Sequence, residues 1–251
     1  MNLNGYSYVA WNWKANGTGV TNTDGSITST VSANPTAGFS IVSWASPVSA
    51  GDTIGHGLSV APKILIFKNR SSTSAWGVFA PSILGNKYLY LNDTSAGNTD
   101  ANYTPTLSST TMTVPTSTYY FGGPSNSGNN ICYAFAEVEG YSKFGSYTGN
   151  GSADGTFVYL GFQPKYVLTK RTDSTGEWWI TDATRYPENT GSVPSLWCQS
   201  SGAEASSTAY NVDLLSNGFK LRTTYADKNT NGGTFIYIAF AENPFKNSLA
   251  R

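Results

Sequence analysis

The chain repeats itself, and the period is that of a whole domain. The segment Ser43-Trp44-Ala45-Ser46-Pro47-Val48-Ser49-Ala50-Gly51-Asp52-Thr53 returns as Ser146-Tyr147-Thr148-Gly149-Asn150-Gly151-Ser152-Ala153-Asp154-Gly155-Thr156, at an offset of 103. Pro62-Lys63, Lys68 and Trp76 return as Pro164-Lys165, Lys170 and Trp178, at an offset of 102. Tyr133-Ala134-Phe135-Ala136-Glu137 returns as Ile238-Ala239-Phe240-Ala241-Glu242, at 105 for the glutamates. Ordered matches at nearly one offset, with the gaps in loop-like sequence, indicate a tandem duplication. Solenoid units are far shorter, roughly 20–50 residues. A chain of 251 residues holds two domains of about 100–120 residues each.

Gly, Ser, Thr and Asn abound between short β-branched or aromatic runs, which reads as an all-β chain. Strands are predicted near 38–44, 53–58, 63–69, 75–80, 87–92, 107–114, 117–122 and 130–138, then near 141–147, 156–161, 165–171, 177–182, 195–199, 211–215, 218–223 and 233–241. About eight strands per copy predict two tandem antiparallel β-sandwich modules, jelly-roll or concanavalin-like. The expected organisation is an N-terminal strand and polar linker over 1–37, module 1 over 38–139 and module 2 over 140–251. Tyr6-Ser7-Tyr8-Val9-Ala10-Trp11-Asn12-Trp13 is similar to the closing strand of each copy. Residues 1–14 therefore read as the last strand of a preceding module, or as a strand swapped into a neighbour. Residues 15–37 read as a linker with one strand near 26–32.

Composition excludes several functions. Net charge is zero and 12% of residues are charged, so no basic patch stands ready to neutralise phosphates, and nucleic acid is not an expected partner. No run of about 18 apolar residues occurs, so no membrane insertion is expected, and the polar start shows no signal peptide. Cys132 and Cys198 are not repeat equivalents; they read as free buried thiols, with a disulfide as the alternative. The sole histidine, His56, sits between glycines with no base–nucleophile motif around it. Glu137 and Glu242 are repeat equivalents, one per module, which argues for a shared structural role over a glycosidase pair. Asp182, Asp213 and Glu188 form a cluster only if loops bring them together. Thr148-Gly149-Asn150-Gly151-Ser152 lacks the ending of a phosphate loop, and single acids at Asp52 or Asp154 suit turns better than calcium. No catalytic residues, no metal site and no cofactor are expected.

Alternation assigns the aromatics to faces. Trp76 and Trp178 match between the copies and are expected in the core. Trp179 faces the other way and stands opposite Gly77, so one copy has gained a ring there. Trp179, Tyr186 and Trp197, with Asp182 and Arg185 as polar handles, are the candidate ligand-binding residues, because sugar rings stack on aromatic faces. The competing reading is plain packing between modules or subunits.

Several strings carry a resemblance. They are residues 22–34 followed by Gly38-Phe39-Ser40-Ile41-Val42, then Gly55-His56-Gly57-Leu58, Ala61-Pro62-Lys63 and residues 143–151. Leu215-Ser216-Asn217-Gly218-Phe219-Lys220 and Ala239-Phe240-Ala241-Glu242-Asn243-Pro244-Phe245 complete the set. Together they resemble an uncharacterised tandem-repeat domain of tailed-bacteriophage tail-fibre and virion structural proteins. The resemblance spans nearly the whole chain. It implies a virion component at the host-facing end, made in the host cytoplasm, that binds a surface glycan or receptor and contacts other virion proteins. A homotrimer is the fibre expectation. The alternative is a structural or decorating virion module without a ligand.

Overall fold

The structure, a computed structural model, describes residues 4–45, 47–187, 189 and 191–242. Its first strands are β1 (Val20–Asn22), β2 (Ser29–Asn34), β3 (Phe39–Ala45), β4 (Thr53–Gly55), β5 (Ile64–Asn69), β6 (Gly77–Phe79), β7 (Lys87–Tyr90), β8 (Asn98–Thr99), β9 (Thr106–Leu107), β10 (Thr111–Thr113) and β11 (Asn129–Phe135). Then come β12 (Ser142–Thr148), β13 (Phe157–Tyr159), β14 (Tyr166–Arg171), β15 (Trp178–Asp182), β16 (Val193–Trp197), β17 (Ala205–Ser207), β18 (Val212–Leu215), β19 (Gly218–Leu221) and β20 (Thr234–Phe240). Among the described residues, helix is confined to single turns such as Pro81–Leu84 and Ala226–Asn229.

An eight-stranded sheet runs β1-β2-β3-β11-β5-β6-β7-β8, and a three-stranded sheet runs β4-β10-β9. The second half forms a six-stranded sheet, β12-β20-β14-β15-β16-β17, and a three-stranded one, β13-β19-β18. Every pairing between named strands is antiparallel. In each half the closing strand, β11 or β20, inserts between the opening strand and the next long one.

Each large sheet is buried on both faces. Along β5, Leu65 and Phe67 point into a core shared with Ile54 and Met112 of the small sheet. Ile64 points the other way, into a core shared with Leu168, Trp178 and Ile238 of the second large sheet. Along β20, Phe235, Tyr237 and Ala239 face the second small sheet, while Ile236, Ile238 and Phe240 face the first half. Period-two side-chain direction turns an unbroken apolar run into two buried faces. Polar ties cross the same interface. Trp178 Nε1 donates to Tyr90 O at 2.7 Å. Lys170 Nζ donates to Thr94 O and Ser95 O at 3.2 and 2.9 Å. Gly97 N donates to Thr172 O, and Gly176 N to Thr94 O, both at 2.9 Å.

Several expectations change. The strand expected near 26–32 is present as β2, but the rest of the linker expected over 15–37 also supplies β1, and the β1–β2 hairpin extends the first large sheet. Residues 6–16 join no strand of their own chain, and Trp11, Trp13 and Ala15 lie against the core between the large sheets; this leaves a strand given to a neighbouring copy as the expectation for residues 1–14. Residues 117–122 are not a strand but a 3₁₀ turn, Tyr119–Phe121. Tyr120 and Phe121 are both buried in one core, which alternation forbids to adjacent strand residues. The run 107–114 is broken by the turn at Ser108, whose Oγ accepts from Thr110 N and Thr111 N. Cys132 is buried as expected, whereas Cys198 is exposed; both are free. No helix among the described residues is long and apolar enough to cross a membrane.

Candidate aromatic site on the second half

Trp179 sits second on β15, and its direct cross-strand partner is Trp197 at the end of β16. Alternation sends Trp178 into the core between the large sheets and Trp179 to the opposite face. There its ring lies 5.4 Å from Trp197, 4.5 Å from Tyr210 and 5.8 Å from Tyr225, centroid to centroid. Tyr210 and Tyr225 meet at 5.2 Å. Trp179 is 1% exposed and forms the floor. Trp197 and Tyr210 are half-buried and Tyr225 is exposed, so these three form the rim. Trp179 thus offers no open face for a sugar ring, which corrects its expected role as the platform.

Lys228 lies beneath. Its Nζ stands 4.8 Å from the Trp179 centroid and donates to Tyr210 O at 2.9 Å. Burial pulls its ammonium down to about 7. At the border, Glu177 and Asp227 bring two carboxylates together: Glu177 N donates to Asp227 Oδ2 at 3.4 Å. Burial, then the charge of Asp227, raises the Glu177 carboxyl above its ordinary range. Gln199 donates to Glu177 and accepts from Trp178 N, tying the acid to the strand. The indole N–H groups of Trp179 and Trp197 are buried and find no acceptor among the described residues.

The other predicted members lie elsewhere. Asp182, at the far end of β15, is buried and accepts from Thr184 N, Arg185 N and Arg185 Nε, the last at 2.6 Å. Arg185 also pairs with Glu204 and lies 5.5 Å over the Trp11 ring. Those bonds staple a loop and leave neither residue as a handle for the aromatic site. Tyr186 is buried in the core of the second half, with its hydroxyl accepting from Gly191 N at 2.8 Å. Asp213 pairs with Arg222 at 2.5 Å, away from Asp182; Glu188 lies outside the described residues.

The remaining chemical candidates are bonded into the scaffold. His56 is fully buried, with Nε2 3.2 Å from Ser108 O and Nδ1 accepting from Leu58 N. Its backbone N–H donates to Thr110 O at 3.0 Å. Glu137 accepts from Phe144 N at 2.9 Å, and Glu242 is exposed and faces Lys165 at 3.8 Å. Asp52 closes a turn onto Ser49 N, and Asp154 pairs with Lys220 and Arg222. Trp178 is core, whereas Trp76 is half-buried and stacked on Tyr133. No group of three metal-ligating side chains occurs among the described residues.

Glu177, Tyr210, Tyr225 and Asp227 were not singled out in the sequence, because they come from three separate segments. The cross-strand pair of tryptophans was the available signal. No curated protein and no solved structure matches the chain. The model of the family described as a domain of unknown function (DUF7483) matches residues 1–244, and the chain belongs to that family.

Proposed function

We propose that this chain is a tail-fibre or virion adhesin module of a tailed bacteriophage that binds a host cell-surface glycan or receptor without catalysing a reaction. The resemblance described above supplies the virion setting. The observation that carries the binding reading is the rim of Trp197, Tyr210 and Tyr225 beside the neighbouring carboxylates of Glu177 and Asp227. Aromatic faces and carboxylate acceptors side by side suit a saccharide ring and its hydroxyls. The proposal treats 38–139 and 140–251 as duplicated copies of one antiparallel β-sandwich. Matching strand orders, and a core between each large sheet and its small one, support that view.

Trp197→Ala and Tyr225→Ala remove rim rings while leaving the Trp179 floor. On a glycan array and in host-cell adsorption, each is expected to weaken binding about tenfold, or ~1.4 kcal/mol. Full binding by both variants overturns the assignment. A structural virion module without a ligand is the second reading. It draws on the first half, where Tyr88, Tyr90, Tyr103 and Tyr120 cluster in the corresponding place as interior packing.

A further inference from the structure

The two small sheets are finished differently at one edge. In the first half, the outward groups of β4 are taken up by the segment between β1 and β2. Ile27 N donates to Thr53 O, and Thr53 N to Ser26 Oγ, both at 2.9 Å. Ser29 Oγ donates to Gly55 O at 3.1 Å, and Ile27 bridges Ile54 in parallel. A Cβ on Gly25 or Gly55 would strike Thr53 O or the Asn22 side chain, so the cover is close.

In the second half β13 holds the place of β4, and Glu137 runs into β12 within a few residues, leaving no second hairpin. Leu221 N bonds Thr156 O and Leu160 N bonds Asn217 O, so alternation turns the N–H and C=O groups of Phe157 and Tyr159 outward. Lys143 Nζ reaches Tyr159 O at 3.0 Å. Among the described residues no strand covers this edge. Phe157 is 42% and Tyr159 is 59% exposed. Exposed edges are usually guarded by charge, proline or a bulge; the Phe-Val-Tyr sequence of β13 carries none of these itself, and a charged neighbour on this side is Lys143, whose Nζ also lies 5.1 Å over the Tyr159 ring.

A second segment complements it. Tyr6-Ser7-Tyr8-Val9-Ala10 is uncharged, rich in strand-forming types and outside every sheet. Tyr6 is 69% and Val9 40% exposed. We propose that residues 6–10 of a second copy of this chain dock along β13, as residues 26–29 cover β4 within one chain. Backbone pairing supplies the affinity and the apolar side chains meet Phe157 and Tyr159. Arm and edge are different surfaces, so the contact is head-to-tail and closes into a ring or continues as a filament.

The test is oligomeric mass by sedimentation, with Phe157→Lys and Val9→Lys as variants and thermal melts to establish that each folds. Wild type is expected as an oligomer and both folded variants as monomers. A wild type that stays monomeric at high concentration overturns the proposal, as does an oligomer unmoved by both variants. In a Cys198→Ser background, mixing Val9→Cys chains with Phe157→Cys chains is expected to give an interchain disulfide. Crosslinking no greater than for a distant exposed pair, such as Val9→Cys with Val60→Cys, also overturns it.

Discussion

Lys228 shows how one residue shapes the second half. Its charged end is buried with a backbone carbonyl and an aromatic face for company, and burial lowers its pKa from 10.5 to about 7. Below about pH 7 both folded and unfolded chains carry the proton, and the folded state bears the full cost of the buried charge. Between about 7 and 10.5 the unfolded chain keeps the proton and the folded chain gives it up, so stability rises with pH. Thermal melts are expected to move up by several degrees across that window in wild type and to move less in Lys228→Met. Equal slopes in the two proteins would refute this. Trp179 carries a related lesson. Its sequence counterpart, Gly77, carries no ring. Yet a Cβ on Gly77 would meet Tyr120 at 3.0 Å, so the first half fills that space with a ring from another segment. Comparison by sequence position cannot see a space filled from elsewhere.

At the level of elements, runs of β-branched and aromatic residues bounded by Gly, Asn, Asp or Pro located most long strands. That signal missed β1, β8 and β17, two or three residues long and poor in apolar types. It misread Tyr119–Phe121 because a one-turn helix with two adjacent buried rings has strand-like composition. The aromatic site was half legible: Trp179 and Trp197 follow from strand register, whereas Tyr210, Tyr225 and Asp227 depend on how later loops fold back. β1 hid inside polar sequence because hydroxyl and amide hydrogen bonds hold the tip of its hairpin with β2 more than apolar burial does. That makes it sensitive to backbone fit. Gly25→Ala places a methyl 2.2 Å from Thr53 O. The substitution is expected to lift the 24–27 segment off β4, seen as faster amide exchange at Ile27 with little change at β14 or β20. Unchanged exchange at Ile27 would contradict it.

Across the whole molecule, the apolar runs Ile64-Leu65-Ile66-Phe67 and Phe235-Ile236-Tyr237-Ile238-Ala239-Phe240 held information that period-two reading passed over. A strand with one wet face alternates, while a strand buried on both faces does not. The two halves therefore share a core, and their unfolding is expected to be one transition. Ile64→Ala and Ile238→Ala each remove packing from that shared core and should cost about 2–5 kcal/mol. Calorimetry should show the single peak shifting as a unit. Two peaks with only one displaced would mean that the halves melt independently.

The hydrogen bonds that cross this core give it a further property. Apolar contact has no preferred direction along a sheet, so two greasy faces held by packing alone resist separation more than sliding. Trp178 on Tyr90, Lys170 on Thr94 and Ser95, and Gly97 on Thr172 are directional and set one register between the halves. Sliding one half past the other would have to break these bonds as well as disturb the core, because each needs a fixed distance and angle between its partners.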